Sequence, residues 1–293
     1  MKDFRGKGVV VTGAASGIGL GIARAFAREG ATVALADIDG NSLETARGEV
    51  EALGARAVAI VTDVSDPESV ESAARTAQQA LGRVHVVVNN AGVAMHGVDV
   101  EHMELDECHW AFAVNVFGVI HGIKSFLPLI RRHGEGGHVV NTASIAGLRV
   151  WPGLSHGIYA ATKHAVLALS QSLEFDLAGT GIGVSVLCPS AVNTRLYDSS
   201  SHRPERFGGA YERSANHFLR DMMERGAAPD DIGRFVIEDI RQGRFFIMTD
   251  GAAWAGVAEH YERVRNAFAY RDPGLRARSS PATAGSRQRS SSD

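Results

Sequence analysis

Residues 7–37 combine an apolar run, a glycine-rich loop, a helical pattern and a second apolar run that ends on Asp37. An apolar run without polar alternation is typical of a strand buried on both faces. The glycines let the backbone turn tightly beside a pyrophosphate, and the helix N-terminus offers free N–H groups and a partial positive charge. The stretch therefore predicts a strand–helix–strand unit that binds a dinucleotide. The predicted contacts are Gly13, Ser16, Gly17, Ile18 and Gly19.

Asp37 indicates which dinucleotide would bind. A carboxylate at the end of the second strand can accept both hydroxyls of an adenosine ribose, and its charge would repel a 2′-phosphate. Ser16, Ile38 and Asp39 supply no arginine for such a phosphate. The glycine spacing alone is weak, because an ordinary tight loop can share it. With the surrounding strands and the acid, the pattern favours NAD over NADP.

Strand and helix patterns alternate along the rest of the chain. Apolar strands separated by helices predict a parallel sheet covered on both faces. We therefore expect an α/β fold, a single Rossmann-type, doubly wound parallel sheet of about seven strands, in one catalytic domain of residues 1–271. The predicted strands are residues 7–12, 32–36, 57–61, 84–88, 138–143, 183–188 and 245–249.

Polar side chains follow these strands at the edge where ligands bind in such sheets. They are Asp37, Asp63, Asn89, Asn90 and Ser144. For Asp63 and the two asparagines, turn or cap chemistry is the alternative. Their shared position at one edge favours a binding site.

Tyr159 and Lys163 indicate proton transfer. Four residues of separation on a helix place them one turn apart on the same face. A phenol titrates near pH ~10, and an ammonium one turn away favours the phenolate. Ser144 could hydrogen-bond a substrate oxygen beside the phenol. The three side chains predict a site for a carbonyl/alcohol pair, although a Tyr/Lys pair at this spacing is common on helix surfaces.

Asn115 is the lone polar side chain in an apolar stretch of a predicted helix at residues 104–132. A buried amide must be hydrogen-bonded, and asparagine is a poor residue for a helix interior. Two interpretations are equally open: a satisfied structural asparagine beside a helix bend, or a catalytic one.

Composition excludes several classes of protein. A net charge of −3 gives no electrostatic case for binding nucleic acid or an anionic membrane. We expect no membrane span, because no apolar run reaches about 18 residues. Cys108 and Cys188 are widely spaced, and the N-terminus lacks the apolar region of a signal peptide, so we expect a cytoplasmic protein without disulfides. The 12 histidines form no H-E-x-x-H pattern, and we expect no metal.

Two segments depart from the alternation. Residues 195–227 are rich in serine, arginine, histidine and glycine, and such a long segment within an α/β domain predicts a substrate loop or lid. Residues 272–293 contain almost no apolar side chains, which predicts a disordered tail.

Together these motifs resemble the short-chain dehydrogenase/reductase family across roughly residues 4–270. The resemblance is carried by Thr12-Gly13-x-x-x-Gly17-x-Gly19, Asn89-Asn90-Ala91-Gly92, Asn115, Ser144 and Tyr159-x-x-x-Lys163.

The resemblance implies hydride transfer to or from a nicotinamide, with Tyr159 as general acid/base and Ser144 polarising the substrate oxygen. Lys163 would bind the nicotinamide ribose and lower the Tyr159 pKa, and Asn115 would hold a water in the proton relay. Asp63 and Val64 would contact adenine, and Asn90 would contact the adenosine side. Thr194 would contact the carboxamide of the nicotinamide. Gly92 and Val192 would also lie in the cofactor site. Such enzymes are commonly homodimers or homotetramers.

More narrowly, residues 141–148 and 202–207 resemble bacterial Cα-dehydrogenases of lignin β-aryl ether degradation, which oxidise a benzylic alcohol with NAD. Two departures from the wider family concern the pocket. Ser190 stands where the family often has glycine, and the gap between Ser144 and Tyr159 is somewhat longer than usual. Trp151, Leu154, Tyr197 and Phe207 are either walls for an aromatic substrate or packing of the lid.

Three functions follow. The first is an NAD-dependent dehydrogenase of a bulky, aromatic secondary alcohol. The second is a reductase or dehydrogenase of steroid, sugar or acyl carbonyl substrates in the same family. The third is a catalytically inactive, nucleotide-responsive binding protein, which would usually have lost Tyr159 or Lys163.

Overall fold

The computed structural model describes residues 1–211 and 217–272 of the 293-residue chain. The chain divides into two units, Met1–Gly251 and Ala252–Asp293. The first contains the sheet and the residues predicted to form the site, and the described part of the second contains a long helix. The predicted domain of residues 1–271 stays a prediction, and the predicted tail lies outside the described residues except for Asp272.

Strands and helices alternate along the first unit in the predicted order. The strands are β1 Gly8–Thr12, β2 Thr32–Asp37, β3 Ala57–Val61, β4 Val86–Asn89, β5 Gly137–Thr142, β6 Ile182–Cys188 and β7 Phe246–Met248. The helices are α1 Gly17–Arg28, α2 Gly40–Glu51, α3 Pro67–Leu81, α4 Leu105–Phe112, α5 Gly118–Arg132, α6 Gly157–Asp176, α7 His217–Glu224 and α8 Pro229–Gln242, and α9 of the second unit is Trp254–Arg271.

The seven strands form one parallel sheet in the order β3-β2-β1-β4-β5-β6-β7. The predicted α/β fold with a doubly wound sheet is confirmed. The order reverses at β1, which pairs with β2 on one side and with β4 on the other. Chains leaving β1 and β4 cross to opposite faces, so a crevice opens between their carboxyl ends.

Two apolar layers cover the sheet. One contains side chains of α1, α2 and α8, and the other contains side chains of α3, α4, α5 and α6. Every residue of β1, β4 and β5 is buried, which explains their apolar character without alternation. Polar groups of these central strands are therefore concentrated where the strands end.

Helix caps fix the loops at this edge. Asp39 accepts hydrogen bonds from the backbone N–H groups of Asn41 and Ser42 at the start of α2. Asp66 caps α3, and Pro67 occupies its first turn, where no N–H is needed. The acids after β2 and β3 thus include structural caps as well as cleft residues.

The predicted helix at residues 104–132 is interrupted. A π-helical turn, Ala113–Phe117, separates α4 from α5. The combined segment Leu105–Arg132 is long and apolar enough to cross a membrane by length and composition, but half of its most apolar stretch is buried in the fold. Its buried side chains, including Trp110 and Phe126, belong to the second apolar layer, as expected of a core helix.

Glu135 joins several charged groups at the opposite edge of the sheet. Its carboxylate accepts from Lys7 Nζ at 2.8 Å, from His85 Nε2 at 3.1 Å and from Arg83. His85, His133 and Glu135 offer atoms within 4.8 Å of one another, a spacing that could hold a metal ion. However, His85 Nδ1 accepts the Gly8 N–H, and Lys7 adds a cation, so the cluster is better suited to an ion-pair network.

The segment predicted as a lid contains short helices. Leu196–His202 and Glu205–Phe207 are 3₁₀-helices, and α7 follows residues 212–216, which lie outside the described part of the chain. A bridge between Val192 and Ala227 brings the two ends of the segment together. We call the described residues of this segment, 195–211 and 217–227, the lid.

Candidate active site

A cleft of about 270 Å³ lies at the carboxyl ends of the central strands. Its wall contains every residue that the sequence predicted to contact a dinucleotide. These are Gly13, Ser16, Gly17, Ile18, Gly19, Asp37, Asp63, Val64, Asn90, Gly92, Tyr159, Lys163, Val192 and Thr194.

The glycine loop is as tight as its sequence requires. Gly13 and Gly17 have φ angles of +64° and +53°, a region that favours glycine. A Cβ atom on Gly19 would lie 2.0 Å from the Gly13 carbonyl oxygen. Ser16 precedes α1, and its side chain makes no capping bond. The first N–H groups of α1 can therefore bind an anion.

Asp37 is held beside this loop. One carboxylate oxygen accepts from Ala15 N at 2.9 Å, and the other accepts from Asp39 N at 3.1 Å. Because a carboxylate offers about four acceptor sites, two remain for hydroxyl donors. This geometry suits the two hydroxyls of a ribose.

Asn90 joins the two strands that flank the crevice. Its side-chain amide donates to the Thr12 carbonyl at 2.9 Å, and its backbone N–H donates to Thr12 Oγ1 at 2.9 Å. The turn-chemistry alternative is therefore correct for the side-chain amide of Asn90, which holds the backbone at the start of the glycine loop. Asn90 nevertheless lines the cleft. Asn89 points to the sheet interior, where it donates to Asn141 Oδ1 at 2.9 Å, and it is not a cleft residue.

Tyr159, Ser144 and Lys163 meet in the cleft. The Ser144 side chain hydrogen-bonds the Tyr159 phenol, whose residue is only 9% exposed. Lys163 Nζ lies 5.6 Å from the centroid of the Tyr159 ring and donates to the Thr142 carbonyl at 2.9 Å. The α6 helix and the end of β5 thus place a phenol, a hydroxyl and an amine within one small volume.

Burial dominates the electrostatics of this group. It raises the pKa of Tyr159 to about 12, although the hydrogen bond with Ser144 lowers it in part. Burial also lowers the pKa of Lys163 to about 8. The predicted lowering of the Tyr159 pKa below its ordinary value is therefore wrong for this structure. Burial disfavours the phenolate because it removes the charge from water, and this effect outweighs the hydrogen bond with Ser144.

Asn115 lies in the π-helical turn, beside the cleft rather than in its wall. Its Oδ1 accepts from Val93 N at 2.8 Å, while its Nδ2 donates to Val93 O at 3.0 Å and to Thr162 Oγ1 at 3.0 Å. These bonds make it a structural asparagine beside a helix irregularity. A water-holding role stays a prediction.

The predicted aromatic walls lie elsewhere. Trp151, Leu154, Tyr197 and Phe207 do not line the cleft, and Phe207 packs against the second apolar layer. The packing alternative is therefore correct for Phe207.

The apolar part of the wall contains residues that sequence reasoning missed. They are Trp110, Val114, Leu196, Pro204 and Met223. Trp110 looked like an ordinary core residue because it is buried on a helix, and only the orientation of α4 turns it toward the cleft.

Two histidines were also missed. The His96 ring lies 5.3 Å from the Tyr159 ring and 6.1 Å from the nearly parallel His156 ring. His156 is 2% exposed, and its burial lowers its pKa. The sequence offered one signal, since His96 closely follows the Asn89-Asn90-Ala91-Gly92 turn.

The two sequence departures have local explanations. Ser190 donates its N–H to Thr249 Oγ1 at 3.0 Å, which ties the loop after β6 to the end of β7. In the longer segment before Tyr159, Ser155 has a φ of 39° and its hydroxyl donates to Asp99 at 2.8 Å.

The model of the short chain dehydrogenase family matches residues 7–205. The 1-deoxy-11-beta-hydroxypentalenate dehydrogenase of Streptomyces exfoliatus is 36% identical over 259 residues, 88% of each chain. The C alpha-dehydrogenase of Sphingobium sp. strain SYK-6 is 30% identical over 273 residues, 92% of this chain and 88% of that protein.

Solved structures share the fold. A short chain dehydrogenase/reductase from Burkholderia phymatum in complex with NAD has a TM-score of 0.85 at 37% identity, covering 90% of this chain and 96% of that chain. A short chain dehydrogenase from Burkholderia cenocepacia J2315 in complex with NADP has a TM-score of 0.72 at 29% identity, covering 86% of this chain and 99% of that chain. Both nicotinamide cofactors therefore occur among similar structures.

Replacement of Gly19 by alanine tests the glycine loop. We expect the free energy of unfolding to fall by about 1–3 kcal/mol and dinucleotide affinity to be lost, because the new methyl group overlaps the Gly13 carbonyl. Urea denaturation and calorimetric titration with NAD measure the two effects. Gly48→Ala in α2 is the control, since its methyl group would meet no atom within 4 Å. Equal behaviour of the two variants would contradict the packing argument.

Proposed function

The chain belongs to the short-chain dehydrogenase/reductase family, and from this premise we propose that it is an NAD-dependent enzyme interconverting a secondary alcohol and a ketone. Family membership makes it an oxidoreductase, and confirms the resemblance read from its motifs. One observation carries the proposal: a buried phenol, Tyr159, with Ser144 and Lys163 beside it, lies in the same cleft as an open glycine loop.

The cleft fits a nicotinamide dinucleotide. The α1 N-terminus and the glycine loop leave space and N–H groups for the pyrophosphate, and Asp37 has acceptor sites for a ribose. When bound, the dinucleotide supplies the two-electron acceptor for a hydride. Gly17, Gly19 and Asp37 would hold its adenosine and phosphate portions, while Lys163 and Thr194 would hold its nicotinamide portion.

The proton is handled by residues of this chain. In the oxidation direction the Tyr159 oxygen accepts the hydroxyl proton of the alcohol, and Ser144 donates a hydrogen bond to the same substrate oxygen. As a cation one helical turn away, Lys163 would favour the phenolate, whereas burial holds the pKa of Tyr159 at about 12. In the reduction direction the same phenol returns the proton.

NAD is the proposed cofactor because of the acids after β2. The charge of Asp37 would repel a 2′-phosphate on the ribose that it is proposed to hold, and Asp39 adds a second negative charge close by. The similar protein bound to NAD has the higher TM-score, 0.85 against 0.72 for the one bound to NADP.

For the substrate we propose a bulky secondary alcohol, and an aromatic, benzylic alcohol in the first place. Trp110, Met223 and Pro204 give the cleft an apolar wall, and a C alpha-dehydrogenase is 30% identical to this chain. A hydroxypentalenate-type alcohol is the second candidate, because the dehydrogenase of that name is 36% identical. Oxidation rates for the two alcohols, measured with NAD, would separate these candidates.

The cellular context stays a proposal. We propose a cytoplasmic homodimer or homotetramer, with one catalytic domain at residues 1–271 and no nucleic acid, membrane or metal partner. Steroid, sugar and acyl carbonyl substrates are the alternatives within the family. Retention of both Tyr159 and Lys163 argues against an inactive binding protein.

Replacement of Tyr159 by phenylalanine removes only the hydroxyl group. We expect kcat to fall by about 10²–10⁴-fold, while the Kd of NAD changes by less than about twofold, because the ring still packs in place. Steady-state rates and calorimetry measure the two. Tyr261→Phe, at an exposed position of α9, is the control. Unchanged turnover in the Tyr159 variant would exclude the mechanism, and tight NAD binding without oxidation of any alcohol would favour the inactive binding protein.

The pH dependence of oxidation follows from the two pKa values. The active form has Tyr159 ionised and Lys163 protonated, with pKa values of about 12 and about 8. Below pH 8 the rate therefore rises with pH as the phenolate forms. Above pH 8 the fraction of protonated Lys163 falls as the fraction of phenolate rises, so kcat/KM no longer changes with pH.

Replacement of Lys163 by methionine should remove the change of slope near pH 8 in the plot of kcat/KM for oxidation against pH. We expect kcat/KM for oxidation to be lower and to keep rising with pH through the range in which the parent protein becomes level. A pH–rate profile for the variant measures this, with Lys124→Met on the exposed face of α5 as the control. An unchanged profile in the Lys163 variant would assign the level region to another group.

Replacement of Asp37 by asparagine tests the cofactor. The variant keeps an acceptor oxygen but loses the charge, so we expect the ratio of kcat/KM with NAD to kcat/KM with NADP to fall by about tenfold or more. An unchanged ratio would show that Asp37 does not decide between the two cofactors.

A further inference from the structure

The lid reaches the adenosine end of the cleft as well as its substrate end. We propose that Arg206, in the lid, is a cofactor-binding residue that closes over the adenine position by pairing with Asp63. The inference rests on the proposed function, because it assigns Arg206 to the nucleotide that the enzyme would use.

The contact spans distant parts of the chain. Arg206 lies in the short helix Glu205–Phe207, and its Nη2 donates to Asp63 Oδ2 at 2.6 Å and to Ser65 Oγ at 2.6 Å. Asp63 and Ser65 follow β3, and the family resemblance assigns Asp63 and its neighbour Val64 to adenine. The lid is thus attached directly to the adenine part of the cleft.

Asp63 can accept a ligand amine in addition to Arg206. Its Oδ1 accepts from the backbone N–H of Ser65 at 2.9 Å and from its hydroxyl at 2.6 Å, while Arg206 binds Oδ2. Because each carboxylate oxygen has two acceptor sites, Oδ2 can accept an adenine amine and the guanidinium together. The planar guanidinium can also stack on the base.

The charge balance of the cleft makes this arrangement favourable. Among the described residues of its wall, the charged side chains are Asp37, Asp39, Asp63, Asp198, Lys163 and Arg195. Four carboxylates face two cations, although the proposed ligand carries a negative pyrophosphate. Arg206 neutralises Asp63, and this reduces the repulsion that the ligand would meet.

A second lid residue supports the same placement. Hydrogen bonds from Ser42 and, to a smaller extent, the proximity of His202 lower the pKa of Asp39. His202 and Pro204 line the cleft together with Ser42 and Ser65. Lid residues therefore lie beside the loops after both β2 and β3, which flank the proposed adenosine position.

Stability alone gives little reason for the Arg206 contact. The Arg206 side chain is 50% exposed in its ion pair, and exposed pairs typically contribute little to folding. The guanidinium lies 5.0 Å from the centroid of the Phe207 ring, which packs against the second apolar layer. Phe207 thus anchors the short helix, while Arg206 remains available to a ligand.

Replacement of Arg206 by glutamine, in the full-length protein, tests the proposal. Calorimetry would compare NAD, ADP-ribose and nicotinamide mononucleotide as probes. We expect affinity for NAD and ADP-ribose to fall about fivefold or more and affinity for the mononucleotide to stay unchanged, because only the first two contain adenine. Arg206→Lys, which keeps the charge but not the planar fork, should lie between the parent and the glutamine variant.

Arg234→Gln is the matched control. Arg234 has a similar exposure, 56%, and a similar ion pair, 2.7 Å to Asp231, on α8. Thermal unfolding of both variants would show whether the fold is kept. The double variant Asp63→Asn, Arg206→Gln should lose less affinity than the sum of the two single changes.

Each outcome decides the proposal. Unchanged or tighter binding of NAD and ADP-ribose by the glutamine variant would overturn it, with tighter binding showing that Arg206 competes with adenine. An equal loss for the mononucleotide would also overturn it, because the effect would then be general. The test is independent of turnover, since an enzyme without alcohol oxidation but with the predicted binding pattern would contradict the proposed function alone.

Discussion

Burial of the sheet on both faces is the constraint on which the rest of this structure depends. Side chains of β1, β4 and β5 have no exposed face, so most of them are apolar. The polar residues that line the cleft therefore lie at or after the carboxyl ends of these strands. Because the strand order reverses at β1, the chain leaves a crevice at that edge. The glycine loop, the acid after β2 and the phenol of α6 all open into it.

The same burial sets the chemistry of the cleft. Burial raises the pKa of Tyr159 to about 12 and lowers that of Lys163 to about 8, so near neutral pH the phenol is neutral while the amine is still mostly protonated. The ionised phenol that oxidation needs is therefore a minor species at neutral pH. The hydrogen bond with Ser144 reduces the cost of forming it, and apolar surroundings such as the Trp110 side chain strengthen a hydrogen bond of this kind.

Local patterns in the sequence were sufficient for the fold and for most of the cleft. The order of elements, the glycine loop and the position of Tyr159 one turn before Lys163 depend on short-range spacing, which the sequence displays directly. The Tyr159 pKa could not be read in this way, because desolvation depends on the whole surrounding structure. Trp110 and Arg206 were missed for a related reason. The orientation of α4 brings Trp110 to the cleft wall, and the fold of the lid brings Arg206 to Asp63, whose side chain lines the cleft.

The π-helical turn at Ala113–Phe117 has a consequence for how the cleft could change during evolution. A wide turn accommodates one extra residue, and each residue of a helix rotates the next by roughly 100°. Deleting a single residue there would rotate α4 about the helix axis relative to α5. The Trp110 indole would then turn away from the cleft, while the glycine loop stayed in place. Substrate choice could thus shift by a change in helical phase, while the glycine loop and Asp37 keep their positions.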